Sequence, residues 1–150
     1  MKRVFLFFVL LFIVACDHDD CKDIDCFTPP NAFNFEILDK TTGENLYSNG
    51  SLKANQLKVY NAITKTPLEY TFIDENNLNI ITLYSVGWQT EKITVTFELK
   101  EGLFFNFYVD AERKNENCCS FTTFNETRVE EASFQYDASK ELYSIFFDLN

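Results

Sequence analysis

The chain has 150 residues, 46% of them hydrophobic and 17% aromatic, with a formal net charge of −10 when its one His is neutral. That length suits one folded domain with a single core, and no Pro-, Gly- or Ser-rich stretch divides it. The acidic balance repels phosphate backbones and argues against nucleic-acid binding, whose affinity comes from Lys and Arg.

The first element in chain order is a charged start, Lys2 and Arg3, followed by Val4 to Val14 without a polar side chain. Eleven helical residues at about 1.5 Å each cover about 16 Å, well short of the ~30 Å hydrocarbon layer. The segment therefore reads as a secretory signal over residues 1–15, with Ala15 as the small residue at the cut. Its last residues, Ile13, Val14, Ala15 and Cys16, resemble the lipobox of bacterial lipoproteins, with isoleucine where leucine is commoner. The resemblance covers the leader alone. It implies that Cys16 receives a diacylglyceryl group, that signal peptidase II cuts before it, and that the mature chain starts there. Two or more acyl chains give stable attachment to a membrane, whereas one gives only reversible binding.

Asp17, His18, Asp19, Asp20, Lys22, Asp23 and Asp25 follow without apolar periodicity, so residues 16–31 read as a lipidated acidic tether. An acidic cluster just behind the lipid cysteine resembles the surface-export signal of lipoproteins in Bacteroidota. That resemblance implies an outer-membrane anchor with exposure at the cell surface, whereas Asp17 directly after the cysteine resembles the inner-membrane retention signal of enterobacterial lipoproteins, which is the alternative. Without its leader the chain carries eleven Lys and Arg against 23 Asp and Glu, a net charge of −12.

With Cys16 assigned to lipid, Cys21, Cys26, Cys118 and Cys119 remain, an even number suited to disulfides in an oxidising compartment. A bond between the neighbours Cys118 and Cys119 closes a strained small ring. Two pairings stay open, in each of which Cys21 and Cys26 both reach the late pair. A tetrathiolate zinc site is the alternative, although the spacing is not the usual two-residue hairpin pair.

From residue 32 onward the apolar residues alternate, which marks strands with one buried face. The pattern runs through Phe33, Phe35 and Ile37, through Leu57 and Val59, through Leu68, Tyr70 and Phe72, and through Ile93, Val95, Phe97 and Leu99. Denser apolar runs cover 103–109, 121–124, 129–136 and 142–147. Residues tolerant of tight backbone separate them at 42–45, 49–51, 74–77, 101–102 and 137–139. The expectation is an all-β, antiparallel sandwich over residues 32–150, with no sustained helix. The stretch from Phe35 through Tyr70, with Asp39 to Leu46 leading to Leu57, Val59 and Asn61, resembles the opening of prealbumin-like or carboxypeptidase-regulatory-like modules. That implies an Ig-like sandwich of about seven strands used for binding and spacing.

Catalytic chemistry finds few components. Triad hydrolysis needs an imidazole fixed beside its nucleophile, and the sole imidazole, His18, sits in the tether. The shortage of imidazoles also argues against zinc hydrolysis, and no Gly-rich phosphate loop is present. Carboxylates such as Glu98, Asp110, Glu130 and Glu131 are candidates for a glycosidase pair, and as solvated surface charges otherwise. Asp74, Glu75, Asn76 and Asn77 offer oxygen ligands without the spacing of an EF-hand loop. Trp88, between two strand candidates, is the recognition residue singled out, with Tyr84, Tyr47 and Tyr60 as companions. The resulting expectation is a non-enzymatic envelope lipoprotein without cofactor or metal, bound to membrane lipid through Cys16 and to an extracellular or periplasmic protein or glycan. The alternatives are an inhibitor or immunity-type protein against a basic enzyme such as a lysozyme, and a carboxylate-dependent glycan hydrolase.

Overall fold

A computed structural model of the chain describes residues 26–116 and 118–149. The leader with Ile13, Val14 and Ala15, the lipid position Cys16, and Cys21 lie outside the described residues. Ten strands follow in order: β1 (Cys26–Phe27), β2 (Phe33–Asp39), β3 (Lys58–Asn61), β4 (Tyr70–Ile73), β5 (Ile80–Leu83), β6 (Glu91–Lys100), β7 (Leu103–Glu116), β8 (Cys119–Glu130), β9 (Ser133–Asp137) and β10 (Leu142–Phe147). They form two five-stranded sheets, β1-β8-β7-β6-β3 and β4-β5-β2-β10-β9. Among the described residues the helical content is two 3₁₀ turns, Ala54–Gln56 and Glu75–Asn77. The alternation thus yields the expected all-β sandwich.

Two pairings depart from a purely antiparallel plan. Strand β10 runs parallel to β2, with Tyr143 opposite Phe35 and Ile145 opposite Ile37, and β1 runs parallel to β8. Period-two burial reports which face a residue takes and is silent on strand direction, so the sequence pattern is the same either way. Strand β1 also lies inside the stretch read as tether, which brings that stretch into the sheet from Cys26 onward. The ten strands exceed the seven of the Ig-like plan.

The facing surfaces of the sheets supply the core. Phe33, Phe35, Ile37, Ile81, Leu83, Tyr143, Ile145 and Phe147 come from one sheet. Val59, Val95, Phe97, Leu99, Phe105, Phe107, Val109 and Val129 come from the other, and Leu46, Leu52 and Val86 close the rims from loops. At the centre the ring of Phe35 meets Phe97 at 4.8 Å, Phe107 at 5.0 Å, Tyr143 at 5.3 Å and Phe105 at 5.7 Å. Phe97 and Phe105, cross-strand partners in β6 and β7, lie parallel at 4.6 Å. Aromatic contacts in this range add about 0.5–1.5 kcal/mol each beyond their burial.

Turn residues set the connections. Asp39 ends β2, and its Oδ1 accepts the N–H groups of Thr41 at 2.9 Å and Thr42 at 2.8 Å, which holds its carboxyl below the ordinary range. Gly102, at φ +76°, makes the β6–β7 hairpin in a conformation that an L side chain resists.

Cys26 bonds Cys119 across the parallel β1–β8 pair, with their Cα atoms 4.4 Å apart at a sequence separation of 93. This selects one of the two open pairings and replaces the tetrathiolate zinc alternative, because two of its four thiolates are consumed. Cys118 is also disulfide-bonded. Closing a loop of this length stabilises by up to about 4.7 kcal/mol in the chain-entropy description. Replacing Phe35 by Ala empties the centre of the core without touching either cysteine. Urea unfolding is expected to show a loss of about 3–5 kcal/mol, and a loss below 1 kcal/mol would contradict the central role given to this ring.

Candidate functional site

Two surface features stand out once the strands are in place: a cleft at one rim of the sandwich, and an aromatic cluster at the pole where β1 enters. The cleft exists because β9 overhangs. Glu131, at φ +67°, turns the chain sharply after β8, and β9 then pairs with β10 in the other sheet. The overhang leaves the inner face of β9 without a facing sheet, so Phe134 and Tyr136 stay nearly half exposed. Between β8 and the β9–β10 hairpin opens a cleft of about 260 Å³, floored by Phe33, Phe124 and Tyr143 and flanked by Tyr136 and Thr127. Asn31 and Glu141 stand at its mouth.

Tyr143 joins this cleft to the core. Its ring contacts Phe35 and Phe107 inside and Tyr136 at 4.5 Å outside, and its hydroxyl shares a 3.0 Å hydrogen bond with Thr127. Burial pushes the phenol pKa up, opposed by the Thr127 hydrogen bond and aided by Tyr136. Glu141 adopts φ +51° in the β9–β10 turn, and its carbonyl accepts from Asn34 Nδ2 at 3.4 Å. The site therefore presents two tyrosines, an amide and one carboxylate, a set that hydrogen-bonds and stacks.

The pole is built around Trp88. Gly87 precedes it at φ +91°, where a Cβ would stand 3.0 Å from the Phe124 ring and 3.2 Å from Pro30. Its N–H donates to Glu91 Oε1 at 2.8 Å, and its carbonyl accepts from Thr122 Oγ1 at 2.7 Å. Trp88 is thereby held outward, 49% exposed, stacked on Phe27 at 5.9 Å. The Arg113 guanidinium sits 4.8 Å from the Phe27 ring centre and donates through Nη1 to the Thr28 carbonyl and to Thr122. Its Nη2 is buried with no hydrogen-bond partner among the described residues.

The structure separates the other sequence candidates. Tyr84 is 39% exposed and touches Trp88 through its carbonyl, which accepts the indole N–H at 2.8 Å. Tyr47 turns inward against Phe72, and burial raises its phenol strongly. Tyr60 lies on the outer face of the other sheet beside Glu98 and Lys65. Neither is a companion of Trp88; Phe27 takes that place, with Arg113 over the Phe27 ring.

The carboxylate candidates are equally dispersed. Glu98 pairs with Lys58 at 2.8 Å, Asp110 with Lys92 at 2.9 Å, and Glu130 with Arg128 at 2.8 Å. Glu98 faces Phe104 while Asp110 faces Lys92, a separation of six residues along the ladder, or about 20 Å at ~3.3 Å per residue. Glu131 occupies a turn. Asp74 precedes the 3₁₀ turn Glu75–Asn77, in which Asn76 stands at φ +52°. Among the described residues no group of three or more His, Cys, Asp or Glu is arranged to hold a metal.

No family model, curated protein or solved structure matches the chain. The residues themselves are the basis for any functional reading.

Tyr143 and Tyr47 both have phenols raised above the ordinary value of 10 by burial. The folded state holds these protons while the unfolded state releases them above pH 10, so stability falls as pH rises beyond that point. Thermal unfolding between pH 9 and 11 is expected to show a falling midpoint, part of which disappears in Tyr143→Phe. An unchanged pH slope in that variant would remove Tyr143 from the account.

Proposed function

We propose that the protein is an exported lipoprotein, held by Cys16 in a bacterial outer membrane, whose sandwich binds an extracellular or periplasmic protein or glycan and catalyses no reaction. The observation that carries the reading is the Cys26–Cys119 disulfide, ten residues beyond the lipobox cysteine. Such bonds persist in oxidising compartments and are rare in the cytosol, so the bond supports the export inferred from the leader.

The cleft supports binding over hydrolysis. Glycosidic cleavage uses two carboxyl groups about 5–10 Å apart, and the cleft lining contains one, Glu141. Tyrosines such as Tyr136 and Tyr143 offer flat apolar faces with a polar tip, the chemistry that suits both sugar rings and protein side chains. The mature charge of −12 favours a basic surface on a protein partner, as the inhibitor reading requires. Screening by salt weakens such an encounter and leaves stacking in the cleft largely intact, so salt sensitivity separates the two modes.

Mass spectrometry of the membrane-extracted protein is expected to give a mature chain that begins at Cys16 and carries its acyl groups, with Cys16→Ala moving the protein out of the membrane fraction. An unmodified Cys16, or a membrane-bound Cys16→Ala, would overturn the anchor.

A further inference from the structure

The pole at which the chain enters the sandwich carries exposed aromatic rings, of which Phe27 and Trp88 stack on each other. Phe27 is 55% exposed, Trp88 49% and Tyr84 39%. Phe27 immediately follows the disulfide-bonded Cys26, and Trp88 stacks upon it. The indole N–H, the one polar atom of that ring, is already bonded to the Tyr84 carbonyl at 2.8 Å. Trp88 therefore leaves water without losing a hydrogen bond, and what it shows outward is apolar ring. The loop is fixed by Gly87, Glu91 and Thr122, so presenting the ring requires no ordering on contact.

Chain length indicates what covers this surface. Cys16 and Cys26 are separated by ten peptide steps, which fully extended span at most about 35 Å. A domain of this size has a radius of gyration of about 14 Å, so the reach of the tether hardly exceeds the width of the domain. Cys26 is the point of attachment, and Phe27 is its neighbour. The aromatic pole is thus held within about 35 Å of the bilayer.

We propose that Phe27, Trp88 and Tyr84 sit in the headgroup interface of the membrane that holds Cys16, docking the sandwich pole-down on the lipid surface. The proposal rests on the lipoprotein reading. Trp and Tyr are enriched at this depth, where one part of the ring meets acyl chains and another meets water. The acidic domain is repelled by anionic lipid, so the contact is made with zwitterionic headgroups.

Trp88 is the one tryptophan in the chain, so its emission reports this surface alone. The test uses the full acylated protein in phosphatidylcholine vesicles, with and without lipids brominated near the top of the acyl chains. Expected are co-flotation with the vesicles, a blue-shifted Trp88 emission and about twofold quenching by the bromolipid, as for an interfacial indole. Co-flotation with unshifted, unquenched emission overturns the docking while leaving the anchor intact. Failure to float overturns both. In Phe27→Ser the quenching is expected to fall while flotation persists, and unchanged quenching there would exclude Phe27 from the contact.

Discussion

The contact on which the rest of the structure depends is the seating of Phe35 against the opposite sheet. Its ring meets Phe97, Phe105 and Phe107 across the sandwich and Tyr143 beside it. Strand side chains alternate, so sliding β2 by one residue would point Asn34 and Glu36 into this space. Register in one sheet is thereby read against register in the other. The parallel β2–β10 ladder extends this across nearly the whole described chain, since the first long strand, already paired with β5 on one edge, completes its other edge only when the last is present. Long-range closure of this kind slows folding, and the 93-residue spacing of Cys26 and Cys119 imposes another such closure at the rim.

Much of this was legible because period-two burial is a direct image of a sheet with one wet face. Phe33 to Ile37 and Ile93 to Leu99 are strands where the alternation puts them, Leu142 to Phe147 is a strand where the dense apolar run lies, and the turns at Gly102 and Asp137 fall between such runs. What alternation lacks is direction, so the two parallel pairings were invisible. It also misses strands too short or too uniformly apolar to alternate, which explains β1 and β5. The run from Val129 to Tyr136 hides a change of sheet behind one residue, Glu131, whose left-handed backbone has no signal in a non-glycine side chain.

The site was legible in part, and for a related reason. Trp88 and Tyr84 were singled out for their chemistry, and both prove exposed. The ring beside Trp88, Phe27, and the Arg113 over it come from segments far away in sequence that the disulfide and the β1–β8 pairing bring together. Tyr47 and Tyr60 have the same chemistry as Tyr84 but face the interior and the outer sheet face. Residue type marks what a side chain can do, while topology decides beside whom it does it. The cleft is the extreme case: Tyr136 alternates like any core residue of an edge strand, and only the absence of a sheet across from β9 turns it into lining.

The distribution of charge explains why the rims rather than the faces carry the recognisable chemistry. On the outer face of the sheet built on β6, β7 and β8, Lys92 stands opposite Asp110 and Asp110 opposite Glu126. Next along the ladder Arg128 lies over the Tyr108 ring between Glu126 and Glu130. Lys92 offsets the like charges of Asp110 and Glu126 across the strands, Arg128 pairs with Glu126 and Glu130 along β8, and these ion pairs occupy the carboxylates that chemistry would require. Aromatic rings, by contrast, are left uncovered where the sandwich lacks a second layer, under β9 and beside β1. Tyr143 ties the first of these to Phe35, so anything that fills the cleft bears on the ring that holds the two sheets together. Binding there and stability of the fold are consequently linked through one side chain.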